Sequence, residues 1–301
     1  MAQASTTTPT IAVFTKNWVN PAYAAARLAA DRVAAEAGAR TVHYAPATPD
    51  DVGQQKALIT EALASRPDAV ILNPADDMAL QEDLVRLAAA GIPVALFINR
   101  MAGPALTFVG SDDVAIGHRT ATALFEALGG TGRIVGLEGP LSAPTSRARV
   151  KGLHKAMLAF PGIELVEMAI GHLQQAPAAA AMAGLLGRHA ALDGVWTAND
   201  LMAFGALDAL AAAGRAAKVV GINGLPVAIE HIERGRMVAS ADFSAFNIAA
   251  IATRAVLRHL QGEPVPAEIM VSAELIDRDN CARWKVPFAE RPCPTWDEIV
   301  R

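Results

Sequence analysis

Cysteine is scarce: among 301 residues there are only Cys281 and Cys293, both close to the C-terminus. That excludes a disulfide-dense scaffold, and with 52% hydrophobic residues the chain has ample material for cores instead. The spacing of the pair permits one bridge closing a short loop, as suits an oxidising compartment; two unpaired thiols are the alternative. A basic excess is also missing, with 26 Lys+Arg against 30 Asp+Glu and a net charge of −4. Nucleic acid is therefore not an expected partner, because phosphate neutralisation needs a basic face. No apolar run reaches membrane length, and the alanine-rich stretch Ala178–Leu186 stops at Gly187-Arg188, so no direct membrane insertion is expected. The chain reads as a soluble α/β protein of one large or two medium domains.

Catalytic chemistry is missing as well. The seven histidines are scattered, with neither a His-Glu-x-x-His motif nor Cys/His ligand spacing, so no metal is expected. There is no Walker-type phosphate loop and no Gly-x-Ser-x-Gly elbow. Gly129-Gly130-Thr131-Gly132 precedes a strand rather than joining strand to helix, so it reads as a turn and not a dinucleotide loop. Neither cysteine has a catalytic partner nearby in the sequence. The expectation is no catalytic residue, no cofactor and no enzyme.

What is present is alternation. Thr10–Phe14 is predicted as a strand, Pro21–Ala37 as a helix, Thr41–Tyr44 as a strand, and a helix capped by Asp50 runs through Ser65. Strand Ala69–Leu72, helix Met78–Ala90 and strand Pro93–Ile98 complete the first round. A second round follows with helix Val114–Leu128, strand Arg133–Leu137 and helix Ser146–Phe160. It goes on through Gly194–Thr197, Leu201–Ala213, Val219–Ile222, Pro226–Arg234 and Val238–Ala241, and the helix Phe246–Leu260 comes last. Met202, Gly205, Ala206, Ala209, Leu210 and Ala213 make the stripe of a helix packed on a sheet. Such alternation means βαβ units on parallel sheets. Two rounds of it suggest two doubly wound lobes, whose ligands bind beyond the carboxyl ends of the strands.

Those strand ends carry asparagine: Asn20-Pro21, Asn73-Pro74, Asn99-Arg100, Asn199-Asp200 and Asn223-Gly224. Asn20 before Pro21 is a good helix cap, which is the plain reading of that pair. Five such ends exceed what capping requires, and an amide that both donates and accepts suits a hydroxyl-rich ligand.

Asn20-Pro21, Leu72-Asn73-Pro74, Gly110-Ser111-Asp112, Arg147-Ala148-Arg149 with Gly152, Thr197–Ala203 and Val220–Gly224 follow the order and spacing of periplasmic ribose-type sugar-binding proteins. Over residues 10–276 the sequence resembles the solute-binding component of a carbohydrate ABC transporter, with a type I periplasmic-binding fold. The resemblance implies two doubly wound parallel-sheet lobes joined by a three-segment hinge. These are residues 10–111 plus 244–272, and 112–243 plus 273–280, with 281–301 as a C-terminal extension. It further implies a sugar or sugar derivative captured between the lobes, hinge closure around it, and recognition of the closed form by a membrane permease. The protein would be a periplasmic monomer. Ala2-Gln3-Ala4 resembles the end of a cleavage site, so the start reads as an exported chain whose leader was removed; a cytoplasmic protein with a ragged start is the alternative.

Carried over position by position, the ligand site would take Lys16, Asn20, Tyr23, Asn73, Asn99 and Arg100 from the first lobe. Arg149, Leu173, Asn199, Asn223 and Phe243 would come from the second lobe and hinge. Trp18, Ala22 and Asp242 are further candidates. Arg149 suits bidentate bonding to adjacent oxygens, whereas Arg147, two residues away on one helix, faces elsewhere and reads as structural. Tyr23, Trp18 and Phe243 could stack on a sugar ring, Trp18 equally well forming a lip. Asp112 and Asp200 read as capping or hinge residues.

Departures from the family pattern bear on the ligand. Ribose-type members usually have Asp where this chain has Asn99 and Asn223, an aromatic position is Ala22, and Lys16 adds a cation. Beside Arg100 and Arg149 this predicts a cationic cleft and a sugar acid or lactone, with a small polyol as the main competitor and plain ribose or glucose disfavoured. The tail, with Pro287, Pro292, Pro294, Trp284, Phe288 and Trp296, reads as a strap over one lobe that could brace the hinge. A second function stays open, the effector core of a lactose-repressor-type regulator. The first strand begins by Thr10, which leaves no room for a DNA-reading helix-turn-helix.

Overall fold

The computed structural model describes residues 8–300. The expected leader scar at Ala2-Gln3-Ala4 lies outside them. In chain order the first elements are β1 (Thr10–Phe14), α1 (Pro21–Glu36), β2 (Arg40–Tyr44), α2 (Val52–Ser65), β3 (Ala69–Leu72), α3 (Gln81–Ala89), β4 (Val94–Phe97) and β5 (Thr107–Gly110). Then come α4 (Asp113–Ala127), β6 (Thr131–Glu138), α5 (Pro144–Met157), β7 (Gly162–Ile170), α6 (Gln175–Arg188), β8 (Gly194–Thr197), α7 (Asp200–Ala212), β9 (Lys218–Ile222), α8 (Pro226–Glu233) and β10 (Ala239–Asp242). The chain closes with α9 (Ala245–Leu260), β11 (Glu268–Met270), β12 (Glu274–Ile276), a 3-10 turn at Cys281–Lys285 and α10 (Trp296–Ile299).

These elements form two compact units. One holds the described chain up to Gly110 with Ala245–Val271 and the tail from Phe288; the other holds Ser111–Ser244 with Ser272–Pro287. The first unit has a six-stranded sheet in the order β11-β5-β4-β3-β1-β2, parallel throughout. The second has the order β12-β10-β9-β8-β6-β7, parallel except for β12, which runs antiparallel on β10. Helices cover both faces of such sheets, so the central strands are buried throughout, as in Ala-Val-Ile-Leu of β3 and Gly-Val-Trp-Thr of β8. In the first unit Phe14, Ile59, Leu72, Leu80, Leu84 and Leu96 share one core, and Phe14 stacks on Tyr44 with centroids 4.8 Å apart. Trp196 is the largest fully buried side chain of the second, its indole N–H reaching Thr120 Oγ1 at 3.3 Å.

Local chemistry sets several boundaries differently from the sequence reading. Asp51, not Asp50, caps α2 by accepting the Gln54 N–H, because Asp50 itself stands in the left-handed region at φ 60°. The helix expected from Met78 starts at Gln81, since Asp76 Oδ1 takes the N–H groups of Met78 and Ala79 into a turn. Strands β5 and β7 and helix α6 enter the architecture without having been read as elements. The tail is not one extension over a single lobe. Its 3-10 turn joins the second unit, where Lys285 Nζ meets Glu233 Oε1 at 2.6 Å. From Phe288 onward it joins the first, through Phe246–Phe288 stacking and bonds from Arg32 to Arg291 O at 2.7 Å and from Arg254 to Pro294 O at 2.9 Å. Cys281 and Cys293 are free thiols, one on each part of this tail. Among the described residues no helix is long and apolar enough to cross a membrane, and no group of three or more His, Cys, Asp or Glu could hold a metal ion.

Candidate ligand-binding site at the strand ends

In the first unit, β1 runs into Thr15-Lys16-Asn17 and then Asn20, which caps α1 by accepting the Ala22 N–H at 3.0 Å. That capping bond places Ala22 and Tyr23 on the first turn, both buried. Lys16 is buried too, its ammonium 3.4 Å from Asp50 Oδ2, while Asn17 Nδ2 donates to Asp50 Oδ1 at 2.9 Å. Burial is the strongest influence on Lys16 and opposes its charge, but Asp50 and Tyr23 outweigh it and hold the amine above its ordinary range.

The β3 end is fixed from α2. Buried Gln55 donates to Asn73 O at 2.9 Å and accepts from the Ala75 N–H at 2.8 Å, clamping the turn around Pro74. Asn73 is fully buried, yet neither its amide nitrogen nor its amide oxygen has a hydrogen-bond partner. Asn99, after β4, donates to Pro74 O at 2.7 Å and leaves Oδ1 buried and unpartnered. Arg100 departs from the expectation. It is exposed, ion-paired with Glu268 of β11 and set over the Phe108 ring at 4.1 Å, so its charge belongs to the β5–β11 edge. Trp18 is 49% exposed, its indole donating to Ala45 O at 3.0 Å and its ring covered by Arg27 at 4.4 Å.

In the second unit, Arg149 projects from α5, buried, with Nε on Asp113 Oδ1 at 2.8 Å and Nη1 on Ala198 O at 2.7 Å. Its guanidinium carbon lies 5.2 Å from the centroid of Phe243, which follows β10. Arg147, in contrast, is directed to Leu141 O at the exposed loop before α5. Burial pushes the Asp113 carboxyl up, against the pull of Arg149. Asn199 is committed to the protein on both sides: Oδ1 caps α7 through Met202 N–H and Nδ2 donates to Leu173 O at 3.0 Å. Leu173 thus enters through its backbone, as the anchor of Asn199. Asp112 caps α4, as expected. Asp200 does not cap α7 but ties its start to β10 and to the N-cap of α8, accepting from Ser240 Oγ at 2.6 Å and from the Leu225 N–H at 2.9 Å. Those bonds support the Asn223-Gly224 turn, where Asn223 Oδ1 is again buried without a partner. Asp242 is buried at the end of β10 and accepts the Ser244 N–H at 2.7 Å.

Two further observations concern the whole set. Every non-glycine residue with positive φ among those described, except the α2 C-cap Arg66, lies in a loop following a strand: Asp50, Ile98, His172, Leu173, Asn223 and Ser244. Each such conformation costs of the order of 1–3 kcal/mol, and such strain concentrates at functional sites. The cationic excess expected from Lys16, Arg100 and Arg149 does not survive, because Asp50, Glu268 and Asp113 each balance one of them. Sequence reasoning missed these carboxylates, and Asn17 and Gln55 with them. Asp50 is 34 positions from Lys16 and Asp113 is 36 from Arg149, separations at which no local pattern signals a pair.

Burial pushes Asp200 up to about 6 from an ordinary 3.8. The native state then holds this proton more tightly than the unfolded one, so stability is full below pH 4 and falls as pH rises towards 6. At about 1.4 kcal/mol per pK unit the loss is roughly 3 kcal/mol. The urea-unfolding free energy of wild type minus that of Asp200→Asn should fall by that amount between pH 4 and 7. A flat difference would contradict the assignment.

Residues 11–264 match the family described as periplasmic binding protein domain. A Rhizobium meliloti protein named for rhizopine binding is 30% identical over 247 residues, 78% of this chain and 80% of that one. The ribose import binding protein of Bacillus subtilis is 28% identical over 75% of this chain and 74% of its own. Among solved structures, an ABC transporter solute binding protein from Mycobacterium smegmatis with bound glycerol superposes with a TM-score of 0.86 at 28% identity, covering 92% of this chain and 96% of that one. The match to the family over most of the length, with the two parallel α/β sheets, means that the chain belongs to the periplasmic binding protein domain family, with the type I fold.

Proposed function

We propose that this protein is an extracytoplasmic receptor that captures a small neutral sugar or polyol and delivers it to an ABC permease. The observation that carries the reading is the set of buried, unpartnered amide atoms at strand ends: both of Asn73, and Oδ1 of Asn99 and Asn223. Leaving such groups unpaired costs about 1–3 kcal/mol each. Donors and acceptors side by side are what hydroxyl groups satisfy. Lys16 and Asn20 after β1, Tyr23 on the first turn of α1, Arg149 on α5, and Asp242 and Phe243 at the end of β10 are assigned as further contacts. Arg149 spends Nε and Nη1 on the protein, which keeps Nη2 for the ligand. Because the nearby cations are paired, a neutral ligand fits better than the sugar acid or lactone that charge counting alone suggested. The relatives named for ribose import and holding glycerol support this class. They favour a receptor over a repressor core, and binding without catalysis; a periplasmic monomer is part of the same proposal.

Thermal unfolding of ligand-stripped protein against neutral sugars, polyols, sugar acids and lactones tests it. A neutral ligand at 1,000 times its Kd should stabilise by about 4 kcal/mol, a rise of several degrees. Shifts confined to acids or lactones would overturn the neutral assignment. No shift with any of them would overturn the receptor reading.

A further inference from the structure

We propose that Asp50 determines ligand specificity in the first unit, holding Lys16 as a charge-balanced donor so that neutral polyhydroxylated ligands are selected over their carboxylates. The inference rests on the proposed function and deepens it. Asp50 makes three ties to the β1 end: its carboxylate takes the Lys16 ammonium at 3.4 Å and the Asn17 amide at 2.9 Å, and its backbone N–H donates to Lys16 O at 2.9 Å. It does so from a left-handed conformation, φ 60°, that a non-glycine residue rarely adopts and that the surrounding bonds must maintain. Asn17 in turn accepts the N–H of Asn20 at 2.9 Å, so the carboxylate also fixes the start of α1.

The neighbourhood makes this more than an internal ion pair. Asn73 follows β3, adjacent to β1 in the sheet, and its N–H bonds Phe14 O, two residues before Lys16. Its amide atoms are the unpartnered ones. An ammonium has three N–H donors; Asp50 and Tyr23 engage Lys16, which leaves a donor for a ligand hydroxyl. With Asp50 ionised the pair is electrically neutral, and a bound carboxylate would meet Asp50 as well as Lys16. Without that charge, Lys16 would be a buried cation in want of an anion, a situation that strongly favours an acidic ligand.

The test compares Kd values by calorimetry for matched pairs, D-ribose with D-ribonate and xylitol with xylonate, in wild type, Asp50→Asn and Lys16→Gln. In Asp50→Asn the ratio of acid to neutral Kd should fall at least tenfold. In Lys16→Gln, which keeps the carboxylate and loses the cation, it should rise, so the proposal remains testable if one variant fails to fold. A ratio unchanged in the folded variants would overturn the specificity role while leaving the receptor reading intact. A wild type that binds neither member of either pair and shows no thermal shift with any other neutral sugar, polyol, sugar acid or lactone would sink that reading and the specificity role with it. The Lys16 amine followed by NMR titration reads the pairing without any ligand. It should titrate above the ordinary lysine range in wild type and drop in Asp50→Asn, and the same titration in both would overturn the proposal.

Discussion

Arg149→Met should abolish ligand-dependent stabilisation and cost about 3–5 kcal/mol of folding free energy. Both effects follow from where the guanidinium is spent. Nε holds Asp113, Nη1 satisfies Ala198 O, and the plane lies beside Phe243. Methionine fills much of the same volume but leaves a largely covered carboxylate, 12% exposed, without a counter-charge and a buried carbonyl without a donor. Burial already pushes Asp113 up, with Arg149 opposing it; removing Arg149 raises it further. The variant should therefore recover stability as pH falls and Asp113 takes up a proton. The double variant Arg149→Met/Asp113→Leu separates the two consequences. Removing both charges should restore most of the stability, since a buried ion pair contributes little net over an apolar replacement. It should restore none of the binding, because the donor offered to the ligand is gone. Urea unfolding and calorimetry with any sugar or polyol that stabilises the wild type would check this. A single variant within about 1 kcal/mol of wild type would show that Arg149 is not structural, and binding within about threefold of wild type would show that it is not a ligand contact.

The fold was largely legible because it is written in periodicity: buried strands of four or five apolar residues alternate with alanine-rich helices, and Asn20-Pro21 marks a helix start as capping chemistry requires. The missed elements lack that contrast. Thr107–Gly110 is four residues after a Gly/Pro-containing loop, and α6 begins Gln-Ala-Pro and has no acidic residue in its first turn. Edge strand β7 mixes polar and apolar residues on a half-covered face. At the site, what could be read was residue type at strand ends, which singled out Asn73, Asn99 and Asn223. What could not be read was how each side chain is spent. Asn199 and Asn73 have the same chemistry and similar settings, yet one is consumed by Met202 N–H and Leu173 O and the other has no partner at all. Charge was misjudged for the same reason: Lys16, Arg100 and Arg149 were visible, while Asp50, Glu268 and Asp113 became their partners only through folding.

Gly152→Ala should destabilise the protein by about 3 kcal/mol, against the roughly 1 kcal/mol by which alanine improves on glycine inside an exposed helix. The sign is what makes the test informative. A Cβ at Gly152 on α5 would stand 2.2 Å from Val114 O and 2.5 Å from the His118 nitrogen. One at Gly117 on α4 would stand 2.1 Å from Arg149 O. Helices α4 and α5 thus cross with backbone against backbone, and main-chain atoms cannot rotate aside as a side chain could. Gly187→Ala, near the end of α6 where an added Cβ meets nothing within 4 Å, is the control and should be neutral or stabilising. The crossing also sets the chemistry, because Asp113 stands on α4 and Arg149 on α5. Any separation of the helices lengthens their 2.8 Å bond and moves the donor assigned to the ligand. Gly152→Ala and Gly117→Ala should therefore weaken sugar or polyol binding together with stability, at temperatures where the variants remain folded. Melting curves with and without ligand separate the two effects. A Gly152→Ala protein as stable as wild type would mean that α4 and α5 do not meet through their backbones, and the geometry assigned to Arg149 would fall with that contact.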